Sequence, residues 1–202
     1  MTWFYPNRIW RITSSKNTVY LTFDDGPIPE VTPWVLDILK EYEFKATFFC
    51  IGENVKKHPE IFNRILLEGH AVGNHTFNHL NGRKTESEKY LDNIDRTQKL
   101  FDETGHGKTR KIFRPPYGRI TAAQARAVQQ KGFSIIMWTL LSYDYDQFIS
   151  KERCAENITE NLVPGAVIVF HDSLKAEKNL KYALPETLKH IRLKGWESKA
   201  IS

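Results

Sequence analysis

Two histidines four residues apart, His75 and His79, and an adjacent carboxylate pair, Asp24 and Asp25, have the types and spacing that suit metal chemistry. On a helical turn the four-residue spacing puts both imidazoles on one side, within reach of one ion. Neighbouring carboxylates repel each other, and a cation or an arginine that neutralises one of them relieves the repulsion. Asp, Gly and Pro are also turn formers, so Asp24-Asp25-Gly26-Pro27 on its own reads equally well as a solvated turn.

Two histidines and a carboxylate leave open coordination positions, which suits hydrolytic zinc or non-haem iron. An iron oxygenase needs a dioxygen pocket and a cosubstrate, whereas a metal hydrolase needs a base for water and an acid for the leaving group. The second carboxylate of the pair and His171, whose side-chain type titrates near about 6.5, supply those two roles, so hydrolysis is favoured. Asp172, beside His171, reads as a helix cap. Arg114 stands before Pro115-Pro116 and is aimed rigidly inward, where a guanidinium orients a carboxylate. The stiffened turn also holds the backbone N–H of Tyr117 towards a developing oxyanion.

These residues need a scaffold that gathers them. Runs rich in β-branched and aromatic residues predict seven strands, at 19–23, 46–51, 71–74, 112–114, 133–138, 166–170 and 196–201. Helices are expected between them: one after an N-cap at Thr32 and Pro33, one over 60–68, one from a Thr85-Glu86-Ser87-Glu88 capping box to a stop at Gly105. Three more are expected over 121–131, 150–162 and 185–194. Strand and helix in alternation imply parallel strands with crossover helices. An eight-unit barrel needs about 250 residues, so the expectation for 202 residues is an α/β fold: a distorted, incomplete (β/α)7-type barrel with parallel strands. Each polar cluster follows a predicted strand, and the carboxyl ends of parallel strands share one mouth, so the clusters are expected to converge.

Length and composition bound the rest. With 41% hydrophobic, 26% charged and 12% aromatic residues the chain is globular, and the expectation is one domain over 1–202, its motif-bearing core about 18–202. Cys50 and Cys154 are expected as buried free thiols. A net charge of +5 suits an anionic partner, but the lysines and arginines are scattered beside acids, so nucleic acid is not expected. No run is apolar enough to span a membrane, and Pro6, Asn7, Arg8 and Arg11 interrupt any signal peptide in the first twelve residues. Cytoplasmic location is the default expectation, with cell-envelope association left open.

In this order, Thr22-Phe23-Asp24-Asp25-Gly26-Pro27, His75-Thr76-Phe77-Asn78-His79, Arg114-Pro115-Pro116-Tyr117-Gly118 and Val169-Phe170-His171-Asp172 resemble the polysaccharide deacetylases, the NodB-homology domain of carbohydrate esterase family 4. The resemblance runs from about Thr18 to the C-terminus. It implies a distorted (β/α) barrel with a divalent metal, zinc first among the transition metals, held by Asp25, His75 and His79. It also implies Asp24 as general base, His171 as general acid, Arg114 as the group that orients Asp24, and the Tyr117 N–H as an oxyanion donor.

Family members often carry an Asp-x-x-Asp-Trp segment after the fifth strand, its first aspartate tuning the arginine and the acid histidine. Here Leu141-Ser142-Tyr143-Asp144-Tyr145 stands in that place, so either Asp144 or Asp146 compensates by loop rearrangement, or the acid histidine keeps a lower pKa and the activity optimum differs. Val169 stands where a leucine often lines the acetyl pocket, and Tyr117, Tyr143, Tyr145 and Trp138 are candidates to stack on sugar rings. The implied activity is metal-dependent N-deacetylation of an N-acetylated amino-sugar polymer or oligomer, peptidoglycan-like or chitin-like. The alternatives are a small-molecule amidohydrolase on the same site and a non-catalytic carbohydrate-binding relative.

Overall fold

The computed structural model describes residues 8–13, 17–104 and 109–201. Among them the strands are β1 Thr18–Asp24, β2 Ala46–Cys50, β3 Ala71–Asn74, β4 Ile112–Phe113, β5 Ser134–Ile135, β6 Leu140–Leu141, β7 Val167–His171 and β8 Glu197–Ser198. The helices are α1 Thr32–Glu41, α2 Gly52–Lys57, α3 Pro59–Leu67, α4 Ser87–Thr104, α5 Ala122–Gln130, α6 Lys151–Thr159 and α7 Glu177–Leu193. The strands run β5-β4-β3-β2-β1-β7-β6 with every pairing parallel, and β8 joins the start of β1. This is the expected α/β architecture, a curled and incomplete barrel.

Alternation along the central strands decides what reaches the barrel interior. Val19, Leu21 and Phe23 of β1, Phe48 and Cys50 of β2, and Ile168 and Phe170 of β7 pack in one core with Leu36, Leu39, Leu180 and Leu184 of the outer helices. The intervening residues face the other way. Phe49, Ile112 and Val167 form a second cluster with Tyr20 against it, and beyond them Thr22, Asp24, Val169 and His171 point along the interior towards the carboxyl-end mouth. Register places Asp24 beside His171 on one side and beside Phe49 on the other.

The structure corrects several boundaries. Leu140–Leu141 pairs with β7 as a strand that the expected 133–138 run did not include, and α2 was not expected; both are too short for a periodic signal. The last helix starts at Glu177, with Pro185 inside it, because Leu180, Ala183 and Leu184 already bury a helical face before the proline. Thr32 is not the cap of α1; Val31 holds that position and the Thr32 hydroxyl is committed elsewhere. Thr85 donates its hydroxyl to the Asn81 carbonyl and α4 starts at Ser87; a capping box does form at Thr121 and Gln124. Cys50 and Cys154 are buried and free, as expected. Gly105 and the first seven residues, on which a helix stop and the signal-peptide reading fell, lie outside the described residues. No helix among the described residues is long and apolar enough to cross a membrane.

Candidate active site

Arg114 is wholly buried at the end of β4, and each of its nitrogens has an acceptor. Nη1 donates to Asp24 Oδ1 at 2.7 Å and to Thr22 Oγ1 at 2.7 Å, Nη2 to the Met137 carbonyl at 2.9 Å, and Nε to the Ile136 carbonyl at 3.3 Å. Its guanidinium carbon stands 4.1 Å from the Phe49 ring centroid. Burial works to raise the Asp24 carboxyl, but the Arg114 charge, helped by His75 and His171, holds it below the usual carboxylate range. Asp24 is thus an ionised acceptor fixed at the mouth.

Asp25, His75 and His79 come together as expected, though not by a helical turn. Thr76 and His79 adopt left-handed backbone, φ 63° and 53°, as does Asp25 at 84°. Asn74 and Asn93 hold this path: Asn74 Oδ1 accepts the Thr76 N–H at 2.9 Å, and Asn93 Oδ1 accepts those of Phe77 and Asn78 at 2.7 and 3.0 Å. One ligand atom from each of Asp25, His75 and His79 lies within 4.8 Å of the others. Asp25 Oδ1 is buried with no hydrogen-bond partner, 3.2 Å from His79 Nε2 and 3.7 Å from His75 Nε2.

Burial outweighs the Asp24 charge and lowers the His75 pKa to about 4, so this ring is neutral. Its Nδ1 faces the Arg114 carbonyl at 2.8 Å, an acceptor only, which fixes the proton there and leaves Nε2 as a free lone pair aimed at Asp25. An orphaned carboxylate oxygen facing two imidazole nitrogens is a donor set that fits a divalent transition metal.

His171 ends β7 with Asp144 beneath it. Asp144 Oδ1 lies 2.7 Å from His171 Nδ1 and Oδ2 accepts the His171 N–H at 2.8 Å. Burial alone would lower this imidazole; the charge and hydrogen bond of Asp144, with Asp25 and Asp24 adding, raise it to about 9. Of the two candidates to compensate for Leu141, Asp144 therefore does so towards the histidine, while Asp146 accepts the Phe148 N–H.

Asp172 is not a helix cap. It is buried just past the end of β7, where Oδ1 accepts the Gly26 N–H at 3.0 Å and Oδ2 accepts the Thr32 hydroxyl at 2.6 Å. Burial pushes its carboxyl up to about 8, against the pull of the Thr32 donor. Sequence reasoning missed this role, as it missed those of Asn74 and Asn93. The one available signal was the proximity of Asp172 to His171.

The cavity over these groups has a volume of about 550 Å³. Asp24, Asp25, His75, His79 and His171 line its floor, and Tyr117, Trp138, Leu141, Tyr145 and Val169 its walls. Tyr143 does not line it, and Phe170 is core. Tyr117 is left-handed at φ 58° in a short 3-10 turn, Pro116–Gly118. That turn bonds Gly118 N–H to Pro115 and Arg119 N–H to Pro116, and neither bond uses the Tyr117 N–H. The Tyr117 ring centroid lies 4.6 Å from that of His79.

The sequence profile described as polysaccharide deacetylase matches residues 11–136. The chain belongs to the polysaccharide deacetylase family. The chain is 40% identical over 159 residues to a peptidoglycan-N-acetylglucosamine deacetylase of Bacillus cereus, matching 79% of its own length and spanning 57% of that relative's. It is 38% identical to a chitooligosaccharide deacetylase of Azorhizobium caulinodans, covering 80% of this chain and 77% of that one. Its fold matches the crystal structure of the Bc1960 peptidoglycan N-acetylglucosamine deacetylase with a TM-score of 0.92 at 33% identity, covering 100% and 94% of the two chains. It also matches BA3943 of Bacillus anthracis, a pseudoenzyme of carbohydrate esterase family 4, with a TM-score of 0.85 at 26% identity, covering 97% and 68%. The fold alone therefore does not decide activity, and the side chains must.

Proposed function

We propose that this member of the polysaccharide deacetylase family is a metal-dependent hydrolase that removes N-acetyl groups from an N-acetylated amino-sugar glycan, with zinc as its ion. The carrying observation is that one cavity joins the Asp25, His75 and His79 cluster to a carboxylate held by a buried arginine and to a histidine held by a buried carboxylate. Relatives named for peptidoglycan and for chitooligosaccharide deacetylation support the same reading.

Asp25, His75 and His79 would hold the ion, which when bound supplies Lewis acidity towards an acyl carbonyl and towards water. Asp24, ionised and kept in place by Arg114, takes the proton of the attacking water. The Tyr117 N–H stabilises negative charge that develops on the carbonyl oxygen. His171, kept protonated by Asp144, gives its proton to the departing sugar amine, and acetate leaves. Trp138 and Tyr145 offer ring surface to the sugar. The cavity opens beside the exposed Tyr117 and Lys175, which favours a glycan over a small amide in a closed pocket.

Acetate release from N-acetylglucosamine oligomers tests the reading. Zinc-loaded protein is expected to release acetate and chelator-treated protein to lose that activity; equal rates for the two would overturn the proposal.

A further inference from the structure

A second depression adjoins the catalytic cavity, and Lys175 lines both. Its other walls include Gln147, Phe148, Ile149, Lys151 and Lys178. Three lysines here face one acid, Glu152, which already has the Lys151 ammonium at 3.8 Å. Neither Lys175 nor Lys178 has an acidic side chain within 4 Å among the described residues, so two cations stand uncompensated on this strip. Phe148 is 99% exposed beside them.

The supporting loop is preorganised. Asn179 of α7 donates through Nδ2 to the carbonyls of Asp144, Asp146 and Ile149, at 3.1, 3.3 and 3.3 Å. Gln147 Nε2 donates to the Lys175 carbonyl at 2.9 Å, and Asp146 Oδ1 accepts the Phe148 N–H at 3.0 Å. An exposed aromatic ring on a braced loop offers a flat apolar face at low entropic cost. The strip also connects to the chemistry: the Lys175 ammonium stands 5.7 Å from the Tyr145 ring centroid, and that ring meets His171 edge-on at 4.8 Å.

We propose that this strip, Lys175 and Lys178 with Phe148, is a second subsite that carries an acidic glycan strand out of the catalytic cavity, the lysines pairing with carboxylates on the sugars and Phe148 packing on a pyranose face. The inference rests on the deacetylase reading and narrows its substrate class. A neutral N-acetylglucosamine oligomer can use Phe148 but gives the lysines nothing to pair with, whereas a strand bearing lactyl ethers or peptides brings carboxylates to both. The chain's net charge of +5 acts in the same direction at longer range.

The test compares equilibrium binding of two probes to chelator-treated protein, so that nothing turns over: peptide-free strands of alternating N-acetylglucosamine and N-acetylmuramic acid, and N-acetylglucosamine oligomers of equal length. Charge reversal of both lysines, Lys175→Glu with Lys178→Glu, is expected to weaken the acidic strand about tenfold and to leave the neutral oligomer within about twofold. Raising salt from about 0.05 to about 0.5 M is expected to weaken wild-type binding of the acidic strand alone. Phe148→Ala is expected to weaken both probes. Equal effects of the lysine changes on the two probes, or none on either, would overturn the subsite. Acetate release by the zinc-loaded wild type is measured in parallel, and its failure on both glycans overturns the deacetylase reading while the binding comparison still decides the strip.

Discussion

His171 and Asp144 are joined twice: the imidazole Nδ1 meets one carboxylate oxygen at 2.7 Å, and the His171 backbone N–H donates to the other at 2.8 Å. The pair fixes the ring's direction and keeps it charged, with a pKa of about 9 where the ordinary value is 6.5. A proposed acid must be protonated, so activity is expected to fall as pH rises through the His171 value. Asp144→Asn removes the charge that opposes burial, and the alkaline limb of kcat against pH is expected to move down by about one unit or more. An unmoved limb would show that another group gives up the proton. The same pair contributes folding stability that is fully present below about pH 6.5 and lost as pH rises through about 9, because the folded value is the higher one. Chemical denaturation of both proteins across that window reads the difference.

Gly26 and Asp172 form a second linked pair. A Cβ on Gly26 would stand 2.0 Å from Asp172 Oδ2, so the Asp172 carboxyl group fills the space that any side chain there would need. Gly26→Ala is expected to cost about 1–3 kcal/mol by overpacking. Asp172→Ala removes the obstruction, although it strands the Thr32 hydroxyl and the Gly26 N–H. The double variant is therefore expected to be more stable than the sum of the single losses, a coupling that denaturant melts of all four proteins measure. Strict additivity would mean that the loop moves away from Asp172 at no cost.

Arg114 is a case where a lysine cannot substitute. One ammonium cannot satisfy Asp24, Thr22, Ile136 and Met137 together, because these acceptors are spread around a planar fork. Arg114→Lys is expected to lose about 1–3 kcal/mol of stability through buried acceptors left unpaired. Asp24→Asn is expected to keep the bound metal and to lose about 10² to 10⁴ in kcat. Metal content and turnover measured on the same Asp24→Asn preparation separate the proposed base from the ligands, and turnover within a few-fold of wild type would remove Asp24 from that role.

Much of this was legible because alternation along a strand is a strict code. Asp24 and His171 end apolar strands and Arg114 follows one, and a parallel barrel has a single carboxyl-end mouth, so their convergence needed only the period of two. What the sequence hid lies in irregular backbone and in partners distant along the chain. The left-handed residues Thr76 and His79 carry no periodic signal, and the side chains that hold their loop come from Asn74 before it and Asn93 on α4. The helix-turn argument for His75 and His79 reached the right neighbours through the wrong local geometry. Pro185 read as a helix start because proline favours the first turn, but the buried face of α7 extends well before it.

The proposed ligands can be tested without any turnover. Asp25 Oδ1 is buried without a hydrogen-bond partner, so the apo protein carries an electrostatic cost that a cation relieves. Zinc is therefore expected to raise the wild-type melting temperature with rising metal concentration, as a ligand that binds the native state alone must do. Asp25→Ala and His79→Ala are expected to abolish most of that increase. His79 is partly exposed and Asp25 is only partly covered, so neither change opens the core. Lys189→Ala, in α7 and lining a separate depression rather than the catalytic cavity, is expected to leave the zinc-dependent increase intact. A zinc response that persisted in both ligand variants would place the ion elsewhere and remove the basis for the catalytic assignment.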